Sequence, residues 1–306
     1  VIRATPRTLV VVNPRAGGGR GVRRWNLALA DAGRALGPLD VRFTESVGDG
    51  RRIAREGVES GFTLIVAAGG DGTVSEVSDG ILAAGGGAKL GIVPCGTGSD
   101  LARALGVPRD PRAAARRLAD PRTRNIDAGR VRFADGSPDR HFVNCATFGV
   151  SGPTVARANA SSKRLGRRGS YIAAALVPTF TYDPPSLRVA ADGADLPVDV
   201  VFVATIGNSR FAGGGMQFCP DARLDDGALD ISIVGPLSLF SRAVILPALL
   251  LPPAFTRGRL YSRRAARFEA AARDPSVVVT VELDGESAGR LPATFEVLPG
   301  ALRVRC

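Results

Sequence analysis

Three times in the first hundred residues, a short unbroken apolar run ends in a glycine-bearing turn that opens onto a helical pattern. Leu9–Val12 leads into Asn13-Pro14-Arg15-Ala16-Gly17-Gly18-Gly19, and Leu64–Ala68 into Gly69-Gly70-Asp71-Gly72-Thr73. Leu90–Val93 leads into Pro94-Cys95-Gly96-Thr97-Gly98-Ser99-Asp100. Runs this short and continuous are strands buried on both faces, and strands joined through helices form a parallel sheet. Between them the pattern predicts helices over Val22–Leu36, Gly50–Glu59 and Val74–Leu82, a strand over Leu39–Phe43, and a helix from about Ser99. Glycine turns at the carboxyl ends of parallel strands line the crevice in which open α/β sheets bind ligands. Backbone N–H groups there can approach an anion closely, and each following helix presents its positive end.

After Arg124 the pattern changes. Asn125–Val131, His141–Phe148, Ser186–Ala191, Val200–Ile206, Leu229–Val234, Val277–Leu283 and Thr294–Val297 read as strands separated by turns, with helices only over Gly169–Val177 and Leu237–Leu251. The fold class expected is therefore α/β plus all-β. A Rossmann-like parallel sheet with helices is followed by an antiparallel, sandwich-like β domain, with the active site in the cleft between them. The boundary falls within 122–128, giving a nucleotide-binding domain over 1–126 and a β-rich domain over 127–306 whose C-terminal end can pack back on the first. A chain of 306 residues is long enough for two such cores.

Composition removes several classes. The four cysteines, at 95, 145, 219 and 306, form no CxxC pair, which argues against a thiolate metal site or a disulfide framework and for a reducing, cytoplasmic setting. The single histidine, His141, excludes chemistry that needs two. The most apolar stretch, Leu237–Phe255, carries Arg242 and prolines 247, 252 and 253, so it reads as a core or amphipathic helix and not as a membrane span. The N-terminus shows no secretion signal. A net charge of +11, almost wholly arginine, suits anionic lipid or phosphate as well as nucleic acid, but no helix-turn-helix, RNP or zinc signature supports a nucleic-acid binder.

The first loop is not a Walker A motif, because GxxxxGK[ST] is absent, and it does not fit GxGxxG. In the second loop, Asp71 lies among glycines beside Thr73. It suits either a Mg²⁺-phosphate site or a helix N-cap. Asp225-Asp226-Gly227 and Asp284-Gly285 read first as turns.

Together, NPRAGGG, GGDGTVSE and PCGTGSDLARALGVP resemble the diacylglycerol kinase catalytic family, which includes bacterial lipid kinases and sphingosine and ceramide kinases and shares its nucleotide fold with NAD kinases. The resemblance continues through Asn125-Ile126-Asp127, Phe211–Gly215, Pro220–Gly227 and Glu282-Leu283-Asp284-Gly285-Glu286. It implies a lipid kinase that transfers the γ-phosphate of ATP to a lipid hydroxyl, most simply that of diacylglycerol, with ATP and Mg²⁺ as cofactors. By this resemblance Asn13, Pro14, Arg15, Ala16, Gly17, Thr44, Gly70, Asp71, Gly72, Thr73, Glu76, Gly96 and Thr97 line the ATP site. Asp71, Asp284 and Glu286 are the catalytic carboxylates, with Glu286 favoured as general base. Asp226, main-chain oxygens of Arg223 and Ala228, and Asp127 form a structural Mg²⁺ network. The third loop departs from the family pattern at Ser99, where asparagine is usual.

Phosphoryl transfer needs positioning, charge neutralisation and a carboxylate at the attacking hydroxyl, all available here without a catalytic histidine or lysine. An NAD kinase and a non-catalytic nucleotide sensor remain as alternatives at this level. The expected setting is cytoplasmic with peripheral membrane association. Lys163, Arg164, Arg167, Arg168, Arg257, Arg259, Arg263 and Arg264 are candidates for docking on anionic headgroups, and Ile245–Leu251 for touching acyl chains. A homodimer is compatible with the sequence but not required by it.

Overall fold

The structure, a computed structural model, describes residues 7–160, 177–238, 241–242 and 260–306. The chain divides into two compact units. One is Val1–Ile126 with Gly300–Cys306, the other Asp127–Pro299.

The first unit is built on a parallel sheet of β1 (Thr8–Val12), β2 (Leu39–Phe43), β3 (Leu64–Gly69) and β4 (Lys89–Pro94), in the order β2-β1-β3-β4. Its outer edge is extended by the end of the last strand, β16 (Ala293–Arg305), with Val304 and Arg305 parallel to Leu90 and Gly91. The strands are buried on both faces, as their continuous apolar composition requires. On one face Val10, Val12, Val66 and Val93 pack against Trp25, Ala28 and Ala32 of α2 (Gly21–Leu36) and against Leu118. On the other, Gly57 of α3 (Asp49–Glu59) lies so close to Leu9 that an added Cβ would stand 2.5 Å from its Cδ2. Each fully buried aliphatic side chain contributes about 1.5–3 kcal/mol. Registers Val12↔Ala68 and Gly69↔Pro94 set the carboxyl ends of β1, β3 and β4 side by side. The turns that follow are therefore neighbours. They are α1 (Ala16–Gly19), the start of α4 (Asp71–Ala83), and the lead into α5 (Asp100–Ala104). Helix α6 (Pro111–Arg117) is not anticipated by the periodicity, although Asp110 caps it by accepting from Ala113 N–H and Pro111 opens it.

The second unit contains two antiparallel sheets. Strands β7 (Cys145–Gly149), β10 (Val203–Gly207), β11 (Leu229–Val234), β12 (Tyr261–Ala265), β14 (Thr280–Leu283) and β15 (Glu286–Arg290) are ordered β12-β11-β10-β7-β14-β15. In the other sheet β16 pairs β13 (Arg267–Ala272), which pairs β8 (Leu187–Ala191), followed by β9 (Ala194–Asp195). There β5 (Thr123–Phe133) pairs β16 and β6 (Arg140–Phe142). One hydrophobic core draws on both sheets, with Phe133, Phe142, Leu187, Phe268 and Phe295 meeting Phe148, Ile206, Ile231 and Val281. This is the sandwich-like second domain expected from the strand-rich sequence.

Several details differ from the sequence reading. The single strand expected over His141–Phe148 is two, because Val143 and Asn144 turn their N–H groups to the Asp284 carboxylate instead of to a neighbouring strand. Helix α7 (Ser151–Ala160) and strands β12, β13 and β15 carry charge or small residues through their length and show no clear period. The expected helices over Gly169–Val177 and Leu237–Leu251 fall mostly outside the described residues, as do Lys163, Arg164, Arg167, Arg168, Arg257, Arg259 and Ile245–Leu251. Among the described residues no helix is long and apolar enough to cross a membrane. Cys95, Cys145 and Cys219 are buried. Burial pushes the thiols of Cys95 and Cys219 up to about 11 and about 12, so neither is poised as a nucleophile.

Candidate functional site

In the first unit the three turns are fastened to one another by side chains that the sequence singled out. Asn13 leaves β1 with its N–H on Ala68 O at 3.1 Å. Its Nδ2 donates to Thr73 Oγ1 at 3.0 Å, and its Oδ1 accepts from Arg15 N–H at 2.9 Å. One asparagine thus ties the first turn to the second. Asp71 ties the second to the third: its Oδ2 accepts from Ser99 N–H at 2.9 Å and its Oδ1 from Asp100 N–H at 2.5 Å. The carboxylate is buried. Its neighbour Gly70 lies so near Gly96 that a Cβ at 96 would meet Gly70 Cα at 2.4 Å. Gly17, at φ 61°, faces Cys95 O, which a Cβ would approach to 2.7 Å. The glycines at 17 and 96 are thus required by close backbone approach, and Gly17 also by its left-handed conformation.

Gly17, Gly18 and Gly19 follow one another at φ 61°, 73° and 86°. Three bare residues in succession leave the backbone of this turn open to close approach by an anion. Pro14 and Gly72 are half-buried beside it, Ala16 and Thr44 are buried, and Arg15 and Thr97 are exposed. Thr44 donates its N–H to Val12 O at 2.9 Å, at the end of β1. Arg109 donates to Thr97 O at 3.1 Å, and Arg24 to Gly96 O at 3.3 Å, holding the third turn from its outer side. Glu76 is buried, and its two oxygens accept from Gly48 N–H and Gly50 N–H at 2.8 Å each. It caps the amino end of α3, and the residue expected to line the ATP site is thereby a brace for the wall behind it.

In the second unit, Asp284 and Gly285 form the two-residue hairpin between β14 and β15, at φ 50° and 86°, the positive values a type I′ turn needs. The Asp284 side chain is buried. Its Oδ1 accepts from Asn144 N–H and Cys145 N–H at 2.9 Å each, and its Oδ2 from Val143 N–H at 3.1 Å. Glu286 follows on β15, half-buried. The turn reading and the functional reading of ELDGE are thus compatible: one residue makes the turn, and its carboxylate fixes the strand opposite.

Glu282 received no role from the sequence reading, yet it is among the most perturbed carboxyls in the molecule. It is 1% exposed. Ser151 Oγ donates to its Oε2 at 2.6 Å, Thr147 Oγ1 to the same oxygen at 3.3 Å, and Thr280 Oγ1 to its Oε1 at 2.9 Å. Burial pushes its pKa up to about 7, against the opposing pull of those hydroxyls. The available signal was a glutamate at an inward position of an otherwise apolar strand. The sequence could not supply the hydroxyl partners, one of which opens α7.

The residues expected around a structural Mg²⁺ divide. Asp127 lies against the turn preceding β11: its Oδ2 accepts from Gly227 N–H at 2.7 Å and its N–H donates to Leu224 O at 2.6 Å. Asp226 instead faces a guanidinium, with Oδ2 3.2 Å from Arg264 Nη1. Arg223 and Ala228 flank that turn. Among the described residues no three histidine, cysteine, aspartate or glutamate side chains cluster as metal ligands.

Glycine turns locked at the carboxyl ends of a parallel sheet, with an antiparallel sandwich-like second unit, define the class: a two-domain α/β plus all-β protein whose first unit presents turns of the kind that bind phosphate groups. Comparison with known proteins gives the family. The diacylglycerol kinase catalytic domain matches residues 7–131, and the YegS C-terminal NAD kinase beta sandwich-like domain matches residues 144–306. A Pseudomonas aeruginosa (strain UCBPP-PA14) protein named probable lipid kinase YegS-like is 36% identical over 97% of this chain and 93% of its own length. One of the same name from Stenotrophomonas maltophilia (strain K279a) is 31% identical over 98% and 96%. The chain belongs to the diacylglycerol kinase catalytic-domain family. A crystal structure of a diacylglycerol kinase from Bacillus anthracis str. Sterne, 25% identical, superposes with a TM-score of 0.76 over 98% of this chain and 96% of that one. A second crystal structure from that organism reaches 0.80 over 99% and 96% at 24% identity, which shows the fold alone.

Proposed function

We propose that this kinase transfers the γ-phosphate of ATP, presented as its Mg²⁺ complex, to the hydroxyl of a membrane lipid, diacylglycerol being the acceptor and phosphatidic acid the product. The observation that supports this most is the coupling of the three glycine turns through Asn13 and Asp71, in a chain that matches a lipid-kinase family along nearly its whole length. Glycine turns held rigid from behind receive phosphate oxygens without reorganising, which is the main requirement of phosphoryl transfer.

The chemistry assigns distinct tasks to the acidic residues. Asp71 positions the second and third turns, and its loss frees both. Glu286 is the general base that takes the proton of the acceptor hydroxyl as the oxygen attacks phosphorus and ADP departs. Asp284, taken up by three N–H groups, orients the hairpin that carries Glu286. Working on a lipid hydroxyl places the chain at a membrane surface.

The test is transfer of labelled γ-phosphate from MgATP to a lipid panel in mixed micelles, wild type beside Asp71→Ala, with NAD and soluble alcohols run alongside. Label in a chloroform-soluble product that the variant fails to make supports the reading and names the acceptor. Label in NADP and in no lipid refutes it.

A further inference from the structure

We infer that Arg264 does at the turn before β11 the work expected of a divalent cation, so that this chain holds no structural metal there. The family resemblance places Mg²⁺ on the Asp226 carboxylate, but the structure pairs that carboxylate with a guanidinium at 3.2 Å. The pairing follows from the strands. Arg264 lies on β12 directly across from Asp230 on β11, in the register Leu229↔Ala265, Asp230↔Arg264, Ile231↔Arg263. Cross-strand pairing therefore fixes where the arginine stands before any question of Asp226 arises. From that position its Nε and Nη2 meet the Asp230 carboxylate at 3.2–3.3 Å, its Nη2 donates to Asp221 O at 3.1 Å, and its Nη1 reaches Asp226.

One planar cation thus joins both ends of the Asp221–Asp230 segment, contacting two carboxylates and a main-chain oxygen. A structural metal at such a turn would gather acceptors in the same way. A guanidinium is not deprotonated in proteins, so the Arg264 charge is permanent at any working pH. A divalent ion seated on Asp226 would stand within a few ångströms of that charge and would have to displace it. Asp127, the other expected ligand, gives its Oδ2 to Gly227 N–H and so stabilises the same turn through a hydrogen bond. The residues present therefore do not fit the structural metal. The inference is independent of the lipid acceptor and of the Mg²⁺ that accompanies ATP.

The experiment is Mn²⁺ binding to the full chain without nucleotide, followed by electron paramagnetic resonance, for wild type, Asp226→Asn, Arg264→Gln and the double variant. Wild type and Asp226→Asn are expected to bind Mn²⁺ alike. Arg264→Gln is expected to gain one site about tenfold tighter than any at that turn in wild type, the scale of removing one charge from within about 4 Å, and the double variant to lose it. A Mn²⁺ site in wild type that Asp226→Asn abolishes overturns the inference, as does an Arg264→Gln chain that folds and gains nothing. Should Arg264→Gln not fold, the wild-type and Asp226→Asn pair decides alone. The wild-type melting temperature adds a check without variants: it should be equal in EDTA and in Mg²⁺, and a Mg²⁺-dependent rise that Asp226→Asn removes counts against the inference.

Discussion

Glu282 offers the sharpest link between this fold and a solution measurement. Its ordinary pKa of 4.5 is raised to about 7 because burial disfavours its charge more than three hydroxyl donors favour it. The folded chain therefore keeps a proton that the unfolded chain has released, across the window from about 4.5 to 7. Stability is fullest below that window and is lost as pH rises through it. At pH 5 the retained proton is worth about 2.5 kcal/mol, and by pH 8 less than about 0.1, so raising the pH between those values removes about 2.5 kcal/mol from this residue alone. Glu282→Gln keeps the volume and the acceptor carbonyl while abolishing the titration. The assay is urea unfolding of both proteins at intervals from pH 5 to 8. The difference in unfolding free energy, wild type minus variant, should fall by about 2.5 kcal/mol over that range. A difference independent of pH would refute the reasoning, because it would mean that Glu282 is ionised in the folded chain throughout. Ser151, one of its donors, begins α7, so amide protection along that helix, after correction for the intrinsic pH dependence of exchange, should fall in wild type above pH 7 and stay constant in the variant.

Further expectations concern the turns and the carboxylates. Ser99 sits at φ 61°, a conformation that asparagine tolerates better than serine. Ser99→Asn should therefore stabilise the chain by roughly 0.5–1 kcal/mol in urea unfolding and keep or raise activity, and a large activity loss would show the third turn to be misread. Gly96→Ala places a methyl group 2.4 Å from Gly70 Cα, so it should cost about 1–3 kcal/mol and weaken MgATP binding measured by calorimetry. Glu286→Gln should lower kcat by about a hundredfold or more while leaving the unfolding curve unchanged. Asp284→Asn should lower kcat and also cost on the order of 2 kcal/mol, because an amide group cannot accept from all three N–H donors. Equal stability losses in the two variants would undo the division of labour between them.

Most strands and helices of the first unit can be read from the chain alone, α6 and the edge segment from β16 excepted. Leu9–Val12, Leu64–Ala68 and Leu90–Val93 are apolar without interruption because both faces of their sheet are covered, so local composition and tertiary burial agree. The glycines between strands and helices were legible for a similar reason. Close backbone approach at Gly17 and Gly96, and a left-handed φ at Gly17, exclude other residues, and this restriction shows in the chain as a motif. Asp284-Gly285 was legible as a turn, since that pair suits the positive φ values it adopts.

What each carboxylate does follows from contacts made across the fold. Asp71, Glu76 and Asp284 all belong to motifs that suggest ligand contact, yet each accepts from backbone N–H groups 26 to 141 residues away in sequence. Glu282 became notable only through burial beside Ser151, and Asp226 only through the strand pairing that brings Arg264 to it. β12, β13 and β15 escaped detection because hydrogen bonds to neighbouring strands, and not an apolar period of their own, hold them in the sheets. Motif spacing records where a backbone must bend and where it must be bare. A charged side chain at such a bend can serve a ligand, a loop or a helix end equally well, and the choice rests on partners that only the folded chain brings within hydrogen-bonding distance.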